Sequence, residues 1–119
     1  MERNKKGVLF STEISSNVGR LAPQRLKKRR RFIVSTPSTV LSTALKQSGR
    51  LDIFMHDSDH SYNGMRYEFE LVKNRMRHNG VILSDDIQSN SAFMELAGEL
   101  GKKPRIIAGI AKSFGIIEL

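Results

Sequence analysis

Two short apolar runs in this chain each break off into carboxylates. Leu51-Asp52-Ile53-Phe54-Met55-His56 leads into Asp57-Ser58-Asp59-His60, and Gly80-Val81-Ile82-Leu83-Ser84 leads into Asp85-Asp86. Brief, apolar runs of this kind suit parallel strands covered on both faces. An open α/β sheet holds its ligands at the carboxyl ends of such strands. With a helical stretch between them, the two acidic ends read as one site assembled from two places. That site suits a divalent cation, a proton acceptor, or both.

The rest of the chain fits the same frame. Gly7 to Ile14 reads as a strand ending near an acid, Glu13. A short helix is expected near Pro23 to Lys28, and a second strand over Phe32 to Ser35. Val40, Leu41, Ala44 and Leu45 give an apolar face to a helix over Thr39 to Gln47, with Ser38 as its cap and Gly49 as its stop. Met65, Phe69, Val72 and Met76 recur at helical spacing, which predicts a helix over Gly64 to His78 ended by Asn79-Gly80. His78 is then a helix-end residue. Ala92 to Leu100 predicts a further helix. The Ile-rich segment Arg105 to Leu119, with Gly109 and Gly115, predicts two strands, read as a hairpin. The alternation implies an α/β, Rossmann-like, mostly parallel sheet with helices on both faces.

At 119 residues the chain holds one domain at most. It has no cysteine, which excludes a disulfide framework and thiolate metal sites. No apolar run approaches the roughly 20 residues needed to span a bilayer, and no signal-type segment follows Met1. A cytoplasmic protein without membrane partners is the expectation. The net charge of +8 is uneven: residues 1–50 carry 12 Lys/Arg against 2 Asp/Glu, and residues 51–119 carry 8 against 10. The excess centres on Lys27-Lys28-Arg29-Arg30-Arg31. Such a run can bind nucleic acid or an acidic partner, although it is more often a solvated turn. With no aromatic interleaving, nucleic acid is not the favoured partner.

Hard cations such as magnesium take carboxylate oxygens and retain water, so Asp57 with Asp85 or Asp86 makes a sparse, open site. His60 stands close enough in sequence to Asp57 to serve as a base. Asp59 serves equally well as a turn or helix cap. Asp57-Ser58-Asp59 also matches the Asp-x-Asp pattern of glycosyltransferases, which leaves Asp85-Asp86 without a role. A metal-dependent transferase or hydrolase of another class remains open on these residues alone. So does a non-enzymatic basic binding module.

Taken in order, these residues resemble a class I S-adenosylmethionine-dependent methyltransferase. Leu51 to Tyr62 is similar to the fourth-strand signature of a small-molecule O-methyltransferase group, and Asn79 to Asp86 to its fifth. The resemblance implies that Asp57, Asp85 and Asp86 hold magnesium or a similar divalent cation and that His60 is the general base. It assigns Glu13 to the ribose of the methyl donor, Ser35 or Thr36 to its adenine, and Asp57 to the donor side as well. A hydroxyl of a small molecule is the implied acceptor. The acid-x-Gly-x-Gly loop and first strand of such domains have no counterpart here. Residues 1–119 therefore correspond to the carboxyl-terminal two-thirds of the domain, with an antiparallel C-terminal strand. The missing strand is the central one, so an incomplete sheet with open edges is expected, and with it self-association.

Overall fold

A computed structural model of the chain describes residues 6–13, 24–34 and 39–119. It forms two units, Met1–Gly49 and Arg50–Leu119.

In the first unit, β1 (Leu9–Glu13) and β2 (Arg30–Val34) pair in parallel, from Leu9 opposite Arg30 to Glu13 opposite Val34. Between them runs α1 (Gln24–Lys27). Helix α2 (Val40–Ser48) packs on both strands through Val40, Leu41, Ala44 and Leu45, the four residues its periodicity singled out. The backbone of Gly49 lies at φ 71°, where a Cβ is strained, so the helix stops there as its sequence predicts. Its N-cap position is Thr39; the expected cap, Ser38, lies outside the described residues. Arg30, from the middle of the basic run, is taken up by the fold. Its guanidinium lies 4.6 Å from the centre of the Phe32 ring, and its Nε donates to Ser11 Oγ at 3.1 Å.

The second unit is a four-stranded sheet in the order β3-β4-β6-β5. Strands β3 (Leu51–His56) and β4 (Met76–Ser84) are parallel and joined through α3 (Tyr62–Lys73). Strands β5 (Arg105–Ala108) and β6 (Ser113–Glu118) form the expected hairpin, with β6 antiparallel to β4. A 3-10 turn (Ile87–Ser89) and α4 (Ala92–Glu99) lie between β4 and β5. One sheet face, carrying Phe54, His56, Ile82, Ser84 and Ile117, is buried. Met65, Phe69 and Val72 of α3 and Phe93 and Leu96 of α4 are buried with it, and Phe69 meets Phe93 edge-on at 6.3 Å. Ion pairs bind the two helices along their outer seam: Arg66 with Glu99 at 2.7 Å and Lys73 with Glu99 at 3.4 Å. The opposite face is open at Ile53 (64% exposed) and Met55 (54%).

Among the described residues, β1 pairs only with β2, and β3 pairs only with β4. Among the described residues the strands therefore form two separate sheets, one of two strands and one of four.

One boundary departs from expectation. The third helix ends at Lys73, and Met76 to Gly80 belong to β4. Arg75 N donates back to Val72 O at 2.8 Å and closes the helix, and Leu51 N then donates to Arg75 O at 2.9 Å. Met76 is buried as the helical spacing required, but from a strand. The Asn79-Gly80 pair marks an irregularity in that strand instead of a helix end. Between Leu51 and Ile53 of β3, the partner on β4 jumps from Met76 to Val81. Asn79 takes φ 69° in this bulge. A Cβ on Gly80 would lie 2.8 Å from Arg77 O, so only glycine fits there. His78 is accordingly an exposed strand residue and not a helix cap.

Candidate active site

Parallel pairing brings the two acidic ends together. The last pair of β3 and β4 is His56 with Ser84, and Asp85 N donates to His56 O at 3.1 Å. Both strands thus end at the same level, and the next residues, Asp57 and Asp85, emerge beside each other. His56 and Ser84 are fully buried. Burial, the largest influence on His56, pushes its pKa below the ordinary histidine value. Neither ring nitrogen of His56 has a hydrogen-bond partner among the described residues, and Nε2 lies 3.7 Å from Glu68 Oε2, so His56 is a core residue beneath the acids.

His60 is set by a short turn. Asp59 Oδ1 accepts from Ser61 N at 2.9 Å, which holds the Asp59 carboxyl below the usual range. Ser61 Oγ accepts from Gly64 N at 3.1 Å and caps α3. A Cβ on Gly64 would collide with the Asp59 side chain. Asp59 is therefore a turn-forming acid. Asn90 Nδ2 donates to His60 O at 2.9 Å and pins the turn from the other side.

The imidazole that results lies between two carboxylates. His60 Nδ1 is 3.4 Å from Asp86 Oδ2, and Nε2 is 3.7 Å from Asp57 Oδ1. The buried Nε2 has no hydrogen-bond partner. Asp57, His60 and Asp85 each offer one ligand atom, all within 4.8 Å of one another. Asp86, in the left-handed region at φ 48°, turns its carboxylate toward His60.

Three further residues brace the cluster, none of them singled out from the sequence. Gln88 Nε2 donates to Asp86 Oδ1 at 3.2 Å. Lys112, from the β5–β6 turn, places Nζ 3.4 Å from Asp85 Oδ2 and 3.3 Å from Asp86 Oδ2. The Gln88 hydrogen bond and then Lys112 hold the Asp86 carboxyl below its ordinary value. Asn90 is the third, through the His60 carbonyl. Lys112 alone reaches the acids from a distant part of the chain, a contact that no local motif records.

In the first unit, Glu13 is the last residue of β1, half-buried at the carboxyl end of a parallel pair. Ser35 and Thr36 lie outside the described residues.

The donor set fits a hard divalent cation. The carboxylates of Asp57 and Asp85 converge beside His60, and Asp57 is exposed, so oxygen ligands and solvent are both at hand.

Comparison with known proteins agrees with this fold. Residues 1–87 match the family described as "Methyltransferase domain". The chain belongs to that family, and its class is that of the S-adenosylmethionine-dependent methyltransferases. Solved structures share its fold. A Clostridium thermocellum protein, provisionally described as an rRNA-methylase, superposes with a TM-score of 0.68 at 11% identity, over 94% of this chain and 72% of that one. The MycE methyltransferase of the mycinamycin biosynthetic pathway, solved with Mg, SAH and mycinamycin VI, gives 0.58 at 14% identity, over 92% of this chain and 36% of its own. The fibrillarin pre-rRNA processing protein of Methanococcus jannaschii gives 0.58 at 11% identity, over 95% of this chain and 56% of its own. No curated protein matches the sequence. Among the described residues, no helix is long and apolar enough to cross a membrane.

Proposed function

We propose that this chain carries the acceptor-side half of an O-methyltransferase site, in which the hydroxyl of a small molecule receives the methyl group of S-adenosylmethionine. The observation that carries the reading is the placement of His60 between Asp57 and Asp86, beside Asp85, at the adjoining ends of β3 and β4. Asp86 faces Nδ1 and favours the tautomer with its proton there. Nε2, the nitrogen without a hydrogen-bond partner, would take the proton of the acceptor hydroxyl, so His60 is kept out of the cation's ligands. Asp57 and Asp85 would hold a divalent cation, with Asp86 behind them. Such a cation, when bound, orients a hydroxyl oxygen and lowers its pKa. Glu13 binds the donor ribose in this reading, and the donor supplies the methyl group. The MycE complex, with Mg, SAH and a small-molecule ligand in one protein, supports the same combination here. The basic run supports a nucleic-acid reading less well, since Arg30 is already engaged with Phe32 and Ser11.

The test is release of S-adenosylhomocysteine by the chain with Mg2+ and a panel of small hydroxylic acceptors. Release is expected to require an acceptor and to fall by more than about tenfold with EDTA or with Asp85→Asn. Release indifferent to both treatments contradicts the reading.

A further inference from the structure

Two adjacent carboxylates repel each other unless a cation lies between them. In this chain the neutralising group is already present. Lys112 Nζ lies 3.4 Å from Asp85 Oδ2 and 3.3 Å from Asp86 Oδ2, bridging the pair. Neither acid is strongly exposed (23% and 16%), whereas the Lys112 side chain is 64% exposed.

The ammonium is delivered by a braced turn. Gly109 N donates to Lys112 O at 2.7 Å and closes the loop between β5 and β6. Gln88 then ties that loop to the acids. Its Oε1 accepts from Ser113 N at 2.7 Å, and its Nε2 donates to both Asp86 Oδ1 (3.2 Å) and Ala111 O (3.5 Å). One amide therefore sets the distance between Asp86 and the backbone that carries Lys112. Nothing equivalent holds the end of the lysine side chain, which is a flexible stem bearing a compact charge. The backbone is fixed and the charge is free to swing away.

Asp85 belongs both to this ion pair and to the Asp57–His60–Asp85 donor set. A divalent cation and the ammonium cannot both sit against its carboxylate without strong like-charge repulsion. We propose that Lys112 is a built-in counter-cation of the Asp85–Asp86 pair, which a divalent cation must displace to bind. This rests on the reading that Asp57 and Asp85 take such a cation beside His60. In the cation-free chain the lysine suppresses repulsion between the acids and weakens competition from singly charged ions. When the cation enters, the amine is released into solvent beside the acceptor position.

The experiment is calorimetric titration of the full chain with Mn2+, alongside reductive methylation of lysines with and without Mn2+. Lys112→Met is expected to bind Mn2+ about three- to tenfold more tightly than wild type, the range that loss of one or two exposed ion pairs allows. Lys112→Arg is expected to stay within about twofold, because it keeps the charge. In the wild-type chain, methylation at Lys112 is expected to accelerate when Mn2+ is saturating. Equal Mn2+ affinity for wild type and Lys112→Met, with Lys112 reactivity unchanged, overturns the displacement while leaving the cation site standing, provided that Asp85→Asn abolishes binding. Absence of Mn2+ binding in every variant overturns both. The reactivity measurement uses the unaltered chain, so it decides the matter even if Lys112→Met folds poorly.

Discussion

His60→Asn is expected to lower the release of S-adenosylhomocysteine by about two to four orders of magnitude, the usual contribution of a positioned general base. The substitution keeps a polar side chain of similar reach but removes the imidazole nitrogen that would accept the proton. The turn around it is held by backbone and neighbouring groups that Asn leaves intact. Asp59 receives Ser61 N, and Asn90 donates to the carbonyl of residue 60. The far-UV and thermal signatures of the fold should therefore be unchanged. A loss confined to KM, with kcat preserved, would show that His60 only binds the acceptor. A rate within about threefold of wild type removes it from the chemistry.

The second large effect concerns stability. Gly115 lies in β6 opposite Ser84, on the buried face of the sheet, and a Cβ there would overlap the ring of Phe93. Phe93 is fully buried and contacts Phe69 edge-on, so it has no free direction in which to move. Gly115→Ala is expected to cost about 1–3 kcal/mol by overpacking, and Phe93→Ala about 3–5 kcal/mol by leaving a cavity. Against a total of about 5–15 kcal/mol for ordinary domains, either is a large share. Combining Gly115→Ala with Phe93→Leu should recover part of the loss, since the smaller side chain makes room for the methyl group. Urea denaturation measures all three. A Gly115→Ala chain within about 0.5 kcal/mol of wild type would mean that the helix shifts freely on the sheet.

The strands of the site were legible because their signals are local. An apolar run followed by acids requires only neighbours in sequence, and both runs became strands ending in the expected residues. Convergence of Asp57 with Asp85 followed from one further rule, the parallel pairing of strands joined by a helix. The end of α3 was not legible. Met76 continues the helical spacing of Met65, Phe69 and Val72, and it is also buried as a strand residue, so two periodicities agree at that position. Asn79-Gly80 carries a turn signal in either setting, and only the register jump opposite Leu51 and Ile53 decides between them. Gln88 and Asn90 stand just after the acids but form no recognisable motif with them, and Lys112 could not be found locally at all. Lys112 reaches the acids through the placement of a hairpin turn more than 25 positions away, fixed by the antiparallel pairing of β4 and β6. That β1–β2 and β3–β6 form two sheets is not legible locally, because no residue propensity records which strands pair with which.

The account stands on Asp57, His60, Asp85 and Asp86 forming one cation-binding, proton-accepting cluster at the ends of β3 and β4. Mn2+ added in small steps to the 15N-labelled chain tests this directly through paramagnetic broadening of amide signals. The amides of Asp57, His60, Asp85 and Asp86 should broaden first and together, and Asp85→Asn should abolish the effect. Broadening that begins at other carboxylates, such as Glu70 and Glu99, or that survives in Asp85→Asn, would contradict it.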